Sequence, residues 1–173
     1  MENKCSTEPT LCNLEQIRAK IAIDAAEKIG TGSDGGRAVA KKVPALIIQN
    51  GFLAALAFAI ESINDPKFQF DVESGYYRNM NPRKNKEGKN DPFEGCGYAN
   101  TFLSVMKDLK ETKKDGGFCN GNLVEFLGGL CGNADNPAQT LRMVTDEALH
   151  YLNYLRRFAK SDEKTGEVVD VQD

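Results

Sequence analysis

At 173 residues, the chain is long enough for one domain with a substantial core. A hydrophobic fraction of 40% is somewhat low for a globular protein, so some segments are expected to lie outside that core. The net charge of −3 argues against a broadly basic nucleic-acid binder. That deficit is local: Ser161 to Asp173 holds five acids and one lysine, which leaves 21 basic and 20 acidic residues elsewhere. With a near-neutral body, any RNA contact must be a patch and not a global field.

The first ten residues are polar and are expected to fray. Leu11 to Ile29 then shows helical spacing, with Leu11, Leu14, Ile21, Ala22, Ala25 and Ile29 on one face. Arg18 projects from that same face. It serves either as a contact at a subunit surface or as a fork onto a carboxylate, for which Glu147 is the obvious candidate. Gly30, Gly32 and Gly35 spell a formal G-x-G-x-x-G. A helix precedes it, where a dinucleotide fingerprint needs a strand, so the plainer reading is a C-cap, a turn, and Ser33 or Asp34 capping a helix from Arg37 to Val43.

Val43 to Glu61 is apolar nearly all round, interrupted only by Gln49 and Asn50. A helix without a polar face belongs inside a bundle, which makes this the expected central buried helix with Leu56 and Phe58 in the core. The apolar run from Gly51 to Ile60 is too short to span a bilayer. Asn50–Gly51 is expected to kink the helix, or to cap it before a restart.

Asp65–Pro66 ends that segment. Lys67 to Gly97 has weak periodicity and a basic stretch of Arg78, Arg83, Lys84, Lys86 and Lys89. It reads as a flexible surface insertion or as a basic arm for RNA, and as the most mobile internal region. Tyr98 to Lys110 restores helical spacing, Asp115–Gly117 breaks it, and Asn122 to Cys131 is a short apolar helix.

The last helix, Asn136 to Lys160, carries the most information. Asn136 suits the N-cap and Pro137 the first helical position. Leu141, Val144, Ala148, Leu152, Leu155 and Ala159 form one apolar face, with Arg142, Asn153, Arg156 and Lys160 along its flank. That flank is either a solvated surface ending in dipole-complementing cations or a row of charges offered to a partner. An acidic, disordered tail is expected over 161–173. No segment alternates convincingly as a strand. The fold expected is all-α, a compact bundle of about six helices over residues 11–160, with a flexible insertion at 67–97.

Enzymatic chemistry finds little support. Glu147–His150 is an E-x-x-H of the kind found in di-iron bundles, but that site needs a second such motif and two further glutamates. His150 is the sole histidine. A Cys–His or Ser–His pair would need it too, without supporting spacing. The five cysteines (Cys5, Cys12, Cys96, Cys119, Cys131) include no C-x-x-C. With no signal peptide in view they read as reduced thiols of a cytoplasmic protein, not as zinc ligands. No metal, no cofactor and no catalytic role are expected.

Pro44 to Ile47, Asn50–Gly51, Leu56 to Phe58, Thr145 to Leu149 and Leu155 to Lys160, with Arg18–Ala19 before them, together resemble one family. It is the small helical subunit of the type III-B CRISPR RNA-targeting effector, the Cmr complex. The resemblance covers roughly Leu11 to Lys160, apart from the 67–97 insertion, which is longer than the connection typical of the family. It implies a non-catalytic subunit in antiviral defence, with partners in the other Cmr effector subunits, copies of itself, and target RNA held by the crRNA-containing complex, away from any membrane. On that expectation Arg142, Arg156 and Lys160 would contact RNA, with Arg157, Lys41 and Lys42 in second rank. The alternative is a pure protein–protein scaffold subunit with no direct RNA contact.

Overall fold

The computed structural model describes residues 13–30, 36–82, 88, 90–112, 122–132 and 136–159. Expectations for the N-terminal ten residues, the Ser33/Asp34 cap, Lys160, the acidic tail and Cys5, Cys12 and Cys119 lie outside these residues, as do Arg83, Lys84, Lys86 and Lys89.

Six helices are described: α1 (Leu14–Ala26), α2 (Gly36–Asn50), α3 (Phe52–Glu61), α4 (Gly97–Glu111), α5 (Leu123–Gly132) and α6 (Pro137–Phe158). Between α3 and α4 lie two short strands, β1 (Phe68–Asp71) and β2 (Tyr76–Asn79). The fold is a compact helical one with a single antiparallel hairpin added.

Local chemistry sets the helix ends. Asn13 begins α1 with a capping box: its side chain accepts from the first turn, and its own N–H donates to Gln16 Oε1 at 3.1 Å. Asn122 Oδ1 accepts from Val124 N–H and Glu125 N–H at the start of α5. Asn136 caps α6, and Pro137 occupies its first turn. Gly51 has φ +84°, a left-handed conformation that stops α2 and lets α3 restart at a new angle. The Asn50–Gly51 break is therefore a cap and restart. Pro44 lies inside α2, so the helix runs through it from Gly36.

The element most fully enclosed is α4, where Ala99 to Met106, Asp108 and Leu109 are all buried. The sequence points instead to Val43–Glu61 for that place. The structure leaves an outer side on both α2 and α3, with Ile48 73% and Phe58 46% exposed. The reason is visible in α4 itself. Its hydroxyl residues are buried because each finds a partner close by: Thr101 Oγ1 donates to Gly97 O at 2.7 Å, and Ser104 Oγ to Thr101 O at 2.6 Å. A satisfied hydroxyl costs little to bury, so a mixed composition can occupy the centre.

Around α4, the core joins Ile29, Val39, Val43, Leu56, Phe102, Phe126 and Leu152. Phe52 meets Phe102 and Phe126 edge to face at 5.5 and 6.2 Å between ring centroids. Leu56→Ala should cost ~2–5 kcal/mol, since Leu56 is fully buried. Phe58 corrects the expectation of a core residue. It is half exposed and meets Tyr98 edge to face at 5.1 Å, so Phe58→Ala should cost ~1 kcal/mol. Urea titrations of the two variants check the contrast, and equal losses would contradict this packing.

The hairpin departs from a strandless expectation. Phe68 pairs with Asn79, Gln69 with Arg78, Phe70 with Tyr77 and Asp71 with Tyr76. A two-stranded ribbon is marginal alone, and this one is anchored. Tyr76 is fully buried, Lys107 Nζ lies 3.8 Å from the centroid of its ring, and the same ammonium donates to Ser74 O at 3.2 Å. Burial pushes the Lys107 ammonium below the usual lysine range, opposed by nearby Asp24. At the far side, Gly30 (φ +79°) approaches the turn at Phe93 so closely that a Cβ there would lie 2.6 Å from Phe93 O.

Candidate functional site

α6 owes its position to an almost unbroken apolar stripe. Val144, Ala148, Tyr151, Leu152 and Leu155 are fully buried, and the helix packs on α1, α2, α4 and α5. Thr145 Oγ1 donates back to Leu141 O at 2.7 Å. One charged residue sits within this buried side. Glu147 is 2% exposed, and its Oε1 accepts from Arg18 Nε at 2.6 Å and lies 2.6 Å from Arg18 Nη2.

The ion pair Arg18–Glu147 thus ties α1 to α6 through one oxygen. Its cation is held firmly: the hydrogen bond from Glu147 raises the Arg18 pKa above its ordinary value, burial opposes this, and the charges of Glu147 and Asp108 add to the rise. An arginine so held is committed to the protein's interior, so the structural fork accounts for Arg18.

Over this pair lies an open groove of about 340 Å³. Its wall is a line of α6 side chains one turn apart, Gln139, Arg142 with Met143, Asp146, and His150, with Arg18 and Glu147 beneath. His150 is exposed on the rim side of this wall. From the sequence alone it has no role. The missed signal was the run 139, 142/143, 146 and 150, which repeats every three to four residues beside the buried Glu147.

The other predicted cations are placed as follows. Arg142, Arg156 and Arg157 are all exposed on α6. Arg142 and Arg156 are separated by ~21 Å along the axis and ~40° around it, so one flank carries both. Arg157 stands 5.7 Å from the Tyr154 ring centroid, which steadies its guanidinium. Lys41 and Lys42 are exposed on α2, a separate element, and do not line the groove. Met143 is 39% exposed.

Asn100 is a structural residue that sequence reasoning missed. Its buried Oδ1 accepts from Tyr77 N–H at 2.7 Å, while Nδ2 donates to Tyr77 O at 3.0 Å and to Lys28 O at 2.7 Å. Here an amide side chain does for β2 what a third strand would do, and no periodicity in the sequence marks it.

Among the described residues, no group of three or more His, Cys, Asp or Glu side chains is arranged to hold a metal ion, and no helix is long and apolar enough to cross a membrane. Cys96 is buried and Cys131 exposed, both as free thiols. Burial pushes the Cys96 thiol up to about 12, so it stays protonated and unreactive at neutral pH.

Comparison with known proteins gives one family. Residues 14–91 match the model of the family described as CRISPR-associated protein (Cas_Cmr5). The matched stretch runs from the start of α1 to the turn after the hairpin, and α4 to α6 follow it. No solved structure matches the chain.

Proposed function

We propose, from the match of residues 14–91 to the Cas_Cmr5 family model, that the chain is a non-catalytic subunit of the Cmr RNA-targeting effector. It stacks along the complex with the other subunits and with copies of itself, and it helps to hold the target RNA. The observation that carries the RNA contact is the exposed flank of α6, where Arg142 and Arg156 stand on one rigid helix fixed to the core along its opposite side. Lys160 extends the same line in sequence, and Arg157 stands beside it.

A body with nearly balanced charge does not attract RNA as a whole. It contributes a few cations at set positions, and phosphate contacts of this kind position a strand without reading its sequence. That suits a subunit whose complex leaves recognition to base pairing with a guide. The exposed apolar side of α2 and α3, with Ile48 and Phe58, favours a second reading, a scaffold that meets only protein.

Salt dependence separates the two readings. Each phosphate neutralised on a single strand contributes ~0.7 to the slope of log affinity against log salt. Changing Arg142, Arg156 and Lys160 together to alanine should flatten that slope by about two units, with fold and assembly intact. The measurement is target-RNA binding by the reconstituted complex across a salt series. An unchanged slope with assembly lost would assign these residues to a protein interface.

A further inference from the structure

The groove between α1 and α6 has a charge arrangement that phosphate binding does not use. At its floor Arg18 and Glu147 neutralise each other. On its wall Arg142 and Asp146, one turn apart, bring opposite charges to the same space. A phosphate seated inside would gain Arg142 and face the Asp146 carboxylate as well. At a partly desolvated site that repulsion is comparable to the attraction, so the two nearly cancel. Phosphates therefore belong at the rim, met by outward N–H groups of the Arg142 guanidinium, whose other N–H groups face the groove.

A neutral, flat ring bearing both N–H donors and carbonyl acceptors has no such conflict. Asp146 can accept from its N–H groups and Arg142 can donate to its acceptors. The faces of such a ring are also provided for. Met143 and His150 lie two turns apart on α6, ~10.5 Å along the axis, with space between them above the ion pair. A polarisable thioether and an imidazole both pack well on an aromatic face. The groove's volume of about 340 Å³ lies at the small end for organic ligands, the scale of one heterocycle and not of a folded chain.

We propose that this groove receives a single unstacked nucleobase from the RNA strand whose backbone passes along α6. The inference rests on the RNA reading given above. Met143 and His150 cover the two faces of the base, Asp146 and Arg142 meet its edge, and the buried Arg18–Glu147 pair supplies a rigid floor. Because both a donor and an acceptor are offered, the groove accepts more than one base, consistent with a strand held regardless of sequence.

The test uses the purified full chain at low ionic strength and fluorescence anisotropy with two short single-stranded RNAs of equal length. One carries its bases and the other is abasic at every position. The wild type should bind the base-bearing strand about fivefold or more tightly than the abasic one, the lower range of single-base stacking. Met143→Ala/His150→Ala should bring that ratio close to one while leaving the salt slope unchanged. Both residues are exposed, and an unaltered thermal midpoint confirms that the variant is folded. Equal binding of the two strands by the wild type, with salt dependence intact, overturns the base site and leaves the RNA reading standing. Failure to bind either strand also overturns it, and the salt series on the assembled complex then decides the RNA reading separately.

Discussion

Glu147→Ala should destabilise the protein by about 3–5 kcal/mol, because it leaves a guanidinium buried without its counter-charge. The Arg18 side chain is 11% exposed and that of Glu147 1%, so water replaces little of what is lost. Arg18→Met/Glu147→Leu removes both charges and keeps volume in the seam between α1 and α6. It should fall within about 1 kcal/mol of the wild type, or exceed it, as buried pairs replaced by apolar residues often do. Urea titration at neutral pH with an unchanged denaturant slope makes the comparison valid. If Glu147→Ala costs less than about 1 kcal/mol, the pair is solvated and does not hold α1 against α6.

This comparison also separates stability from function. The double variant keeps the helix packing and abolishes the polar floor of the groove. If the pair only held the fold, RNA binding by the double variant would match that of the wild type. If the floor orients a ligand, affinity falls while stability does not.

Much of this arrangement was legible in the sequence because it rests on periodic features. The α6 stripe from Leu141 to Ala159, its Asn136 cap and Pro137 follow from helical spacing and end chemistry, and Arg18–Glu147 follows from charges placed on apolar faces. The hairpin was not legible. Phe68 and Phe70 alternate for only two apolar positions, and the four-residue turn before Tyr76 has just Gly75 as a signal. Its strands are held by side chains of α4, remote in sequence. The enclosure of α4 was hidden likewise, since Asn100, Thr101, Ser104 and Asp108 read as surface residues until their surroundings are seen. Val43–Glu61 misled in the opposite sense. Its apolar composition indicates a surface that avoids water, but not which surface covers it, and Ile48 and Phe58 remain outside the core of the single chain.

Asn100→Ala should cost about 3–5 kcal/mol, nearly as much as breaking the ion pair, and should act first on the hairpin. Three backbone groups lose their partner at once: Tyr77 N–H, Tyr77 C=O and Lys28 C=O. Each buried group left unsatisfied costs ~1–3 kcal/mol, reduced where water can follow the deleted amide. Asn100→Asp is the sharper probe. It keeps the acceptor for Tyr77 N–H and sets a carboxylate oxygen against two carbonyls. That crowding favours the protonated form, so the folded variant holds its proton more tightly than the unfolded chain does. Its stability must then fall as pH rises through the folded pKa and recover below it, a pH dependence that wild-type Asn100 cannot contribute. Hydrogen exchange locates the effect: the Tyr77 amide should lose protection in both variants before the amides of α4 do. Unchanged Tyr77 protection, or a loss below about 1 kcal/mol, would mean that Tyr76 and Lys107 anchor the hairpin without Asn100. Early loss at Tyr77 would show that the hairpin depends on this one amide, and can open without disturbing α6 and its row of cations.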